Sequence, residues 1–172
     1  MNLPALSPVR RTRQNHALEH ATITLLMARM THSALVGGRS TSRGFYIVGP
    51  VETELLTRTA TEALLRLQGG EGELAIHPNC GTNLVTTGTL SGLAALGATA
   101  LARARRAGLF DRIAAGVLAA MAAVVVSRPL GMHLQRSVTT LADVQGVQIG
   151  SISRHQLGKL VIHWVRTVKD EG

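Results

Sequence analysis

The chain has 172 residues, enough for one ordinary domain with its own core, or for a small domain with a membrane anchor. Its single cysteine excludes an internal disulfide framework and leaves one thiol that can bind metal. A formal net charge of +8 suggests an anionic partner, but scattered arginines and only one Trp, one Tyr and two Phe argue against nucleic-acid binding.

The first predicted element is a helix that carries two imidazoles and a carboxylate. In the run NHALEH, three- and four-residue spacings place His16, Glu19 and His20 on one helix face. That face continues through apolar positions, so the histidines are expected to be buried and to need partners. The HxxEH spacing inverts the HExxH helix, in which two histidines bind zinc and the glutamate activates a water. It predicts His16 and His20 as metal ligands and Glu19 as catalytic base; the alternative is a pair of core histidines bonded to backbone carbonyls and Glu19.

A strand and an amphipathic helix follow. Residues 43–49 predict a strand that ends at Gly49-Pro50, and residues 52–68 predict a helix that stops at Gly69-Gly70. The polar side of this helix is expected to form a ladder of solvated salt bridges, made by Glu54, Arg58, Glu62 and Arg66. These glutamates are therefore not expected to supply a further zinc ligand.

The next motif contains the only cysteine. Residues 73–77 predict a strand that delivers His77 and Cys80, and the run HPNCG resembles the CPxCG knuckle of zinc ribbons, with His in place of the first Cys. His16, His20, His77 and Cys80 would then make a four-ligand set. The alternative is a Pro-Asn turn that leaves a strand, with Cys80 a small buried residue.

Two uncharged runs joined by a basic loop predict a helical hairpin. Residues 81–102 are long enough to cross a bilayer. Residues 113–127 are too short alone, and would cross only if the flanking Arg112 and Arg128 extend their charged ends to the membrane surface. Gly88 and Gly92 form a GxxxG pair on a small-residue face, which predicts close helix packing and a homo-oligomer. The same face suits the interior of a soluble helical oligomer. We expect a transmembrane hairpin.

Two strands complete the prediction. Residues 143–153 and 159–168 are expected to extend the sheet, with Trp164 inward and His163 facing solvent. His133, just after the second hydrophobic helix, is a further candidate ligand. The predicted class is α+β: a small mixed sheet, an HxxEH helix and an amphipathic helix, interrupted by the hairpin. The domain organisation is an N-terminal half at 1–80, the hairpin at 81–134 and C-terminal strands at 135–172.

Three runs carry a resemblance. NHALEHATI, FYIVGPV followed by an amphipathic helix, and HPNCGTNLVTTG entering the hairpin together resemble an uncharacterised family of small bacterial membrane proteins, over most of the chain. A narrower resemblance, through His16, Glu19 and His20, is to the inverted-zincin metallopeptidases, and it implies two ligands and a general base. The chain departs from that family in its shorter length, its cysteine and the lack of an identifiable downstream glutamate ligand.

The expected location is the bacterial inner membrane. The loop arginines favour a cytoplasmic loop, but the globular part is also arginine-rich, and we expect that part in the cytoplasm because the opposite orientation would translocate about eighty N-terminal residues.

Three functions are compatible with these patterns. The first is a membrane-anchored zinc hydrolase that uses Glu19 as base on a peptide substrate, and the second is a structural metal site in which all four ligands close around the ion. The third is a metal-free scaffold or partner subunit. A His and Cys donor set suits zinc, which we expect, but also copper or iron.

Overall fold

The computed structural model describes residues 8–30 and 35–169, and these fall into two units. The first unit combines residues 1–77 with 136–172, and the second is residues 78–135. The first contains helix α1 (Pro8–Arg29), strands β1 (Gly37–Thr41) and β2 (Gly44–Val48), helix α2 (Thr53–Gln68), a short 3-10 helix (Gly72–Ala75), and strands β3 (Val147–Leu157) and β4 (Leu160–Lys169). The second contains helices α3 (Gly81–Ala104) and α4 (Leu109–Leu134), and a π-helical turn (Gln135–Thr139) links it to the first.

The sheet confirms the predicted α+β class. Its strand order is β1-β2-β4-β3, and every neighbouring pair is antiparallel, so the sheet is not the mixed one predicted. Helices α1 and α2 pack against it, and the core includes Leu18, Leu26, Phe45, Leu56 and Val165, all fully buried. The apolar side chains of α2 are buried as its period predicts, and its polar side carries the expected i,i+4 pairs Arg58–Glu54 and Arg66–Glu62.

Two strand assignments need correction. The predicted strand at residues 73–77 is instead a 3-10 turn, in which Leu74 N–H donates to the Glu71 carbonyl and Ile76 N–H donates to the Glu73 carbonyl. The sequence analysis also missed β1, since its run GGRST carries no apolar residue and gives no strand signal.

Strand β4 presents the opposite face from the one predicted. His163 is fully buried, Val165 and Thr167 lie on the same inner face, and Trp164 points to the other side. The prediction was wrong because both faces of β4 carry apolar residues, so alternation alone does not choose between them. The buried imidazole is stabilised by a hydrogen bond between His163 Nε2 and Thr53 Oγ1, at 3.0 Å.

This buried histidine makes stability depend on pH. Burial lowers the pKa of His163 below its usual value near 6.5, and the positive charge of Arg154 acts in the same direction. Below pH 6.5 His163 is protonated more readily in the unfolded chain than in the native state. Its contribution to the free energy of unfolding is therefore full above pH 6.5 and is lost as pH falls towards the native pKa. Thermal unfolding between pH 8 and pH 5 should show a steeper loss for wild type than for His163→Gln, worth about 1.4 kcal/mol per pKa unit.

The control for this experiment is His155→Gln, because His155 is exposed on β3 and its loss should leave the pH profile unchanged. Equal slopes for wild type and His163→Gln would mean that other groups set the acid sensitivity.

The second unit is a helical hairpin, as the uncharged runs predict. Both helices exceed the predicted bounds, and they are long and apolar enough to cross a membrane. Their contact uses small residues other than the GxxxG pair: a Cβ at Gly116 would lie 2.8 Å from Thr99 Oγ1, whereas Gly88 and Gly92 have open space around them in the described chain. The predicted oligomer through Gly88 and Gly92 stays a prediction.

The close approach at Gly131 can be tested directly. A Cβ there would lie 3.1 Å from Cγ and 3.3 Å from Cα of Asn83, so a larger side chain has to push α3 and α4 apart. We expect Gly131→Val to lower the resistance of the detergent-solubilised protein to unfolding by SDS, by about 1–3 kcal/mol. Gly97→Val is the matched control, since Gly97 also lies in a helix of this unit but has nothing within 4 Å. A similar loss in both variants would attribute the effect to helix propensity alone.

Candidate functional site

The polar motif of α1 divides into two ridges that contact different parts of the first unit. Asn15 and Glu19 form the ridge that faces the sheet. The Asn15 amide donates to the Thr41 carbonyl at 2.8 Å and accepts from Thr167 Oγ1 at 2.8 Å. Each of these contacts joins α1 to a strand that is distant in sequence.

Glu19 is held against β1. Its carboxylate accepts a hydrogen bond from Ser40 Oγ, and it lies so close to the Gly38 backbone that a Cβ at that position would collide with it. A side chain at position 38 would therefore have to displace the carboxylate of Glu19, which is buried.

His16 and His20 form the second ridge, which faces the two segments next to the hairpin insertion. His20 Nδ1 donates to the Ala75 carbonyl at 2.7 Å, just before the chain leaves the first unit. His16 Nδ1 donates to the Thr139 carbonyl at 2.9 Å, just after the chain returns. The two histidines thus bind the first-unit segments before and after the insertion to the same helix.

These hydrogen bonds determine the tautomer of both rings. A backbone carbonyl can only accept, so Nδ1 carries the proton in each ring and Nε2 carries the lone pair. A carbonyl bonded to one nitrogen, with the other nitrogen directed at an ion, is the arrangement common to metal-bound histidines.

A third imidazole lies beside this pair. The ring centroids of His16 and His20 are 4.3 Å apart, and those of His20 and His77 are 5.9 Å apart. The first unit therefore brings together the three histidines of the predicted four-ligand set, His16, His20 and His77. Cys80 follows His77 by three residues, which limits their separation to about 11 Å. The Cys80 sulfur accepts from the Thr82 N–H at 3.4 Å, at the start of α3.

His16 and His20 of the first unit and Cys80 of the second carry the kinds of ligand atom that could hold a metal ion. The assignments of His77 as a fourth ligand and of Glu19 as catalytic base stay predictions. His133, at the end of α4, is exposed and is not a member of this donor set in the described chain. The sequence analysis missed Ser40 and Gly38, the two β1 residues that surround the Glu19 carboxylate.

Comparison with known proteins places the chain in a family. An uncharacterized protein of Picosynechococcus sp. is 38% identical over 147 residues, which is 80% of this chain and 70% of that protein. No solved structure matches significantly. The expected membership of an uncharacterised family is confirmed, whereas these matches do not support the resemblance to inverted zincins. Residues 11–152 match the family described as Domain of unknown function (DUF6391), and the chain belongs to it.

Proposed function

We propose that the protein is a membrane-anchored metal-binding protein in which His16, His20 and Cys80 bind one transition-metal ion. The observation that carries this proposal is the pair of Nδ1 hydrogen bonds to the Ala75 and Thr139 carbonyls, because both leave Nε2 as the metal-binding nitrogen. Two neutral imidazoles and one thiolate suit zinc, copper or iron better than magnesium or calcium. His77, beside His20, would be the fourth ligand of a closed tetrahedral site.

The role proposed for the ion is structural. The hydrogen bonds of His16 and His20 lie at the two ends of the hairpin insertion, so an ion on the same rings would add a further cross-link next to this junction. A hydrolase would instead need Glu19 to reach a metal-bound water, and the Glu19 carboxylate accepts from Ser40 beside Gly38. Peptidase activity therefore has less support than a structural site. Substitution of Glu19 distinguishes the two roles by experiment.

Membrane anchoring is part of the same proposal. The apolar side chains of α3 and α4 are largely exposed, including Leu84, Leu96, Leu118, Val125 and Val126. Burying such a surface in lipid removes it from water, which favours insertion of the hairpin. We expect the bacterial inner membrane, with the first unit in the cytoplasm.

Metal content tests the site. Full-length protein purified in detergent and incubated with zinc should retain about one equivalent after desalting, measured by mass spectrometry of the metal. His20→Ala and Cys80→Ala should each retain less than about a fifth of this amount, because each removes a ligand. His155→Ala is the matched control and should retain the wild-type amount, since His155 is exposed on β3.

A wild-type protein that keeps no metal would favour the metal-free scaffold. Full retention by Cys80→Ala would remove the cysteine from the ligand set.

Glu19→Gln separates the structural site from the hydrolase. Glutamine still accepts from Ser40, so we expect this variant to fold and to keep its metal, with a change in stability of about 1 kcal/mol. Zinc-loaded wild type should cleave no member of a peptide library, measured by mass spectrometry of the products. Cleavage by wild type that Glu19→Gln abolishes, with metal content unchanged, would establish the hydrolase in place of the structural role.

A further inference from the structure

The sheet has a second face that carries an aromatic pair. Phe45 and Val165 point towards α1 and α2, so their neighbours Tyr46 and Trp164 point away from these helices. Tyr46 and Trp164 are direct cross-strand partners, with ring centroids 4.5 Å apart and an interplanar angle of 39°. Tyr46 is 37% exposed, which leaves aromatic surface available to a ligand.

Arginines and hydroxyl groups surround this pair. An open depression of about 750 Å³ is lined by the two aromatic rings and by Thr41, Ser42, Arg43 and Arg166. Arg43 and Arg166 also line a neighbouring depression of about 500 Å³, together with Arg11 and Lys169. Four cationic side chains thus extend away from the aromatic pair around the end of the sheet.

The two central arginines lack neutralising carboxylates. Five other arginines pair with Asp or Glu, but neither Arg43 nor Arg166 makes an ion pair with any of the described residues. Among the residues that the structure describes, no Asp or Glu lines either depression. The positive charge at this surface is therefore left for an anion from outside the described chain.

The chemistry of the lining selects among anions. Guanidinium and hydroxyl groups bind phosphate oxygens, and an exposed aromatic ring stacks on a planar heterocycle. Inorganic phosphate would leave the rings unused. A single strand of nucleic acid stacks successive bases on several aromatics, whereas Phe45 is buried and the sheet offers only one exposed pair. The combination fits one base followed by more than one phosphate, in a volume typical of small-ligand sites.

We propose that this surface binds a nucleoside di- or triphosphate, with the base on Tyr46 and Trp164 and the phosphates on Arg43 and Arg166, extending towards Arg11 and Lys169. The site lies in the first unit: its aromatic pair is on the face of the sheet away from the core, and its phosphate end extends to Arg11 in the first turn of α1. None of the metal-ligand candidates lines it, so its occupancy does not depend on metal binding.

Trp164 supplies the test, because it is the only tryptophan in the chain and its fluorescence reports this surface alone. Full-length protein in detergent should show a saturable change in Trp emission on titration with ADP. Pyrophosphate should compete for the site, and adenosine should bind at least about tenfold more weakly than ADP. Arg43→Ala and Arg166→Ala should each raise the Kd for ADP by about fivefold or more. Arg58→Ala is the matched control, since Arg58 is exposed on α2, and it should leave the Kd unchanged.

Other results would overturn the proposal. One is a Trp emission that shows no saturable change up to about 10 mM ADP, and another is the same Kd for ADP in wild type and both arginine variants. A twelve-nucleotide single strand that binds more than about a hundredfold tighter than ADP would assign the surface to nucleic acid. Phosphatidylglycerol in the micelles that changes Trp emission and is not displaced by ADP would assign it to a lipid surface.

Discussion

The first unit depends on one constraint: the buried polar side chains of α1 require partners, and those partners come from segments far away in sequence. An unpaired buried polar group costs on the order of 2 kcal/mol or more, so each missing partner would remove a large share of a small domain's stability. Asn15 meets this requirement on β1 and β4, and Glu19 meets it on β1. His20 meets it on the Ala75 carbonyl, and the half-buried His16 bonds the Thr139 carbonyl on the other side of the hairpin insertion. The helix therefore connects the sheet to the first-unit segments that precede and follow the insertion.

The sequence predicted the placement of these residues on α1 but not their division into ridges. Residues spaced by three and by four both count as neighbours on a helix, yet Glu19 and His20 differ by about 100° around its axis. That angle is enough to direct the carboxylate to β1 and the imidazole to the Ala75 carbonyl. Treating the HxxEH motif as a single helix face therefore groups Glu19, which contacts the sheet, with His16 and His20, which do not.

Other features differ in how much signal they leave in the sequence. The hairpin and α2 were predictable, because long uncharged runs and a 3.6-residue apolar period are properties of the segments themselves. The partners of His16 and His20 were not, since any residue type supplies a backbone carbonyl. Strand β1 was missed for a related reason: Gly38 approaches the Glu19 carboxylate closely, a contact with a residue distant in sequence that leaves no strand signal in the run itself.

The metal-free and metal-binding interpretations share the same hydrogen bonds and differ only at Nε2 of each histidine. Satisfied Nδ1 atoms are what a core histidine needs, and they are also what orients a metal ligand. The position of His77 favours the metal-binding interpretation. Core packing alone gives no reason for His20 to contact both His16 and His77, and His77 is three residues before the single cysteine of the sequence. His16 and His20 have already donated their Nδ1 protons to backbone carbonyls, so these two rings have no proton to share with each other. A shared ion would bind at the Nε2 atoms of these two rings.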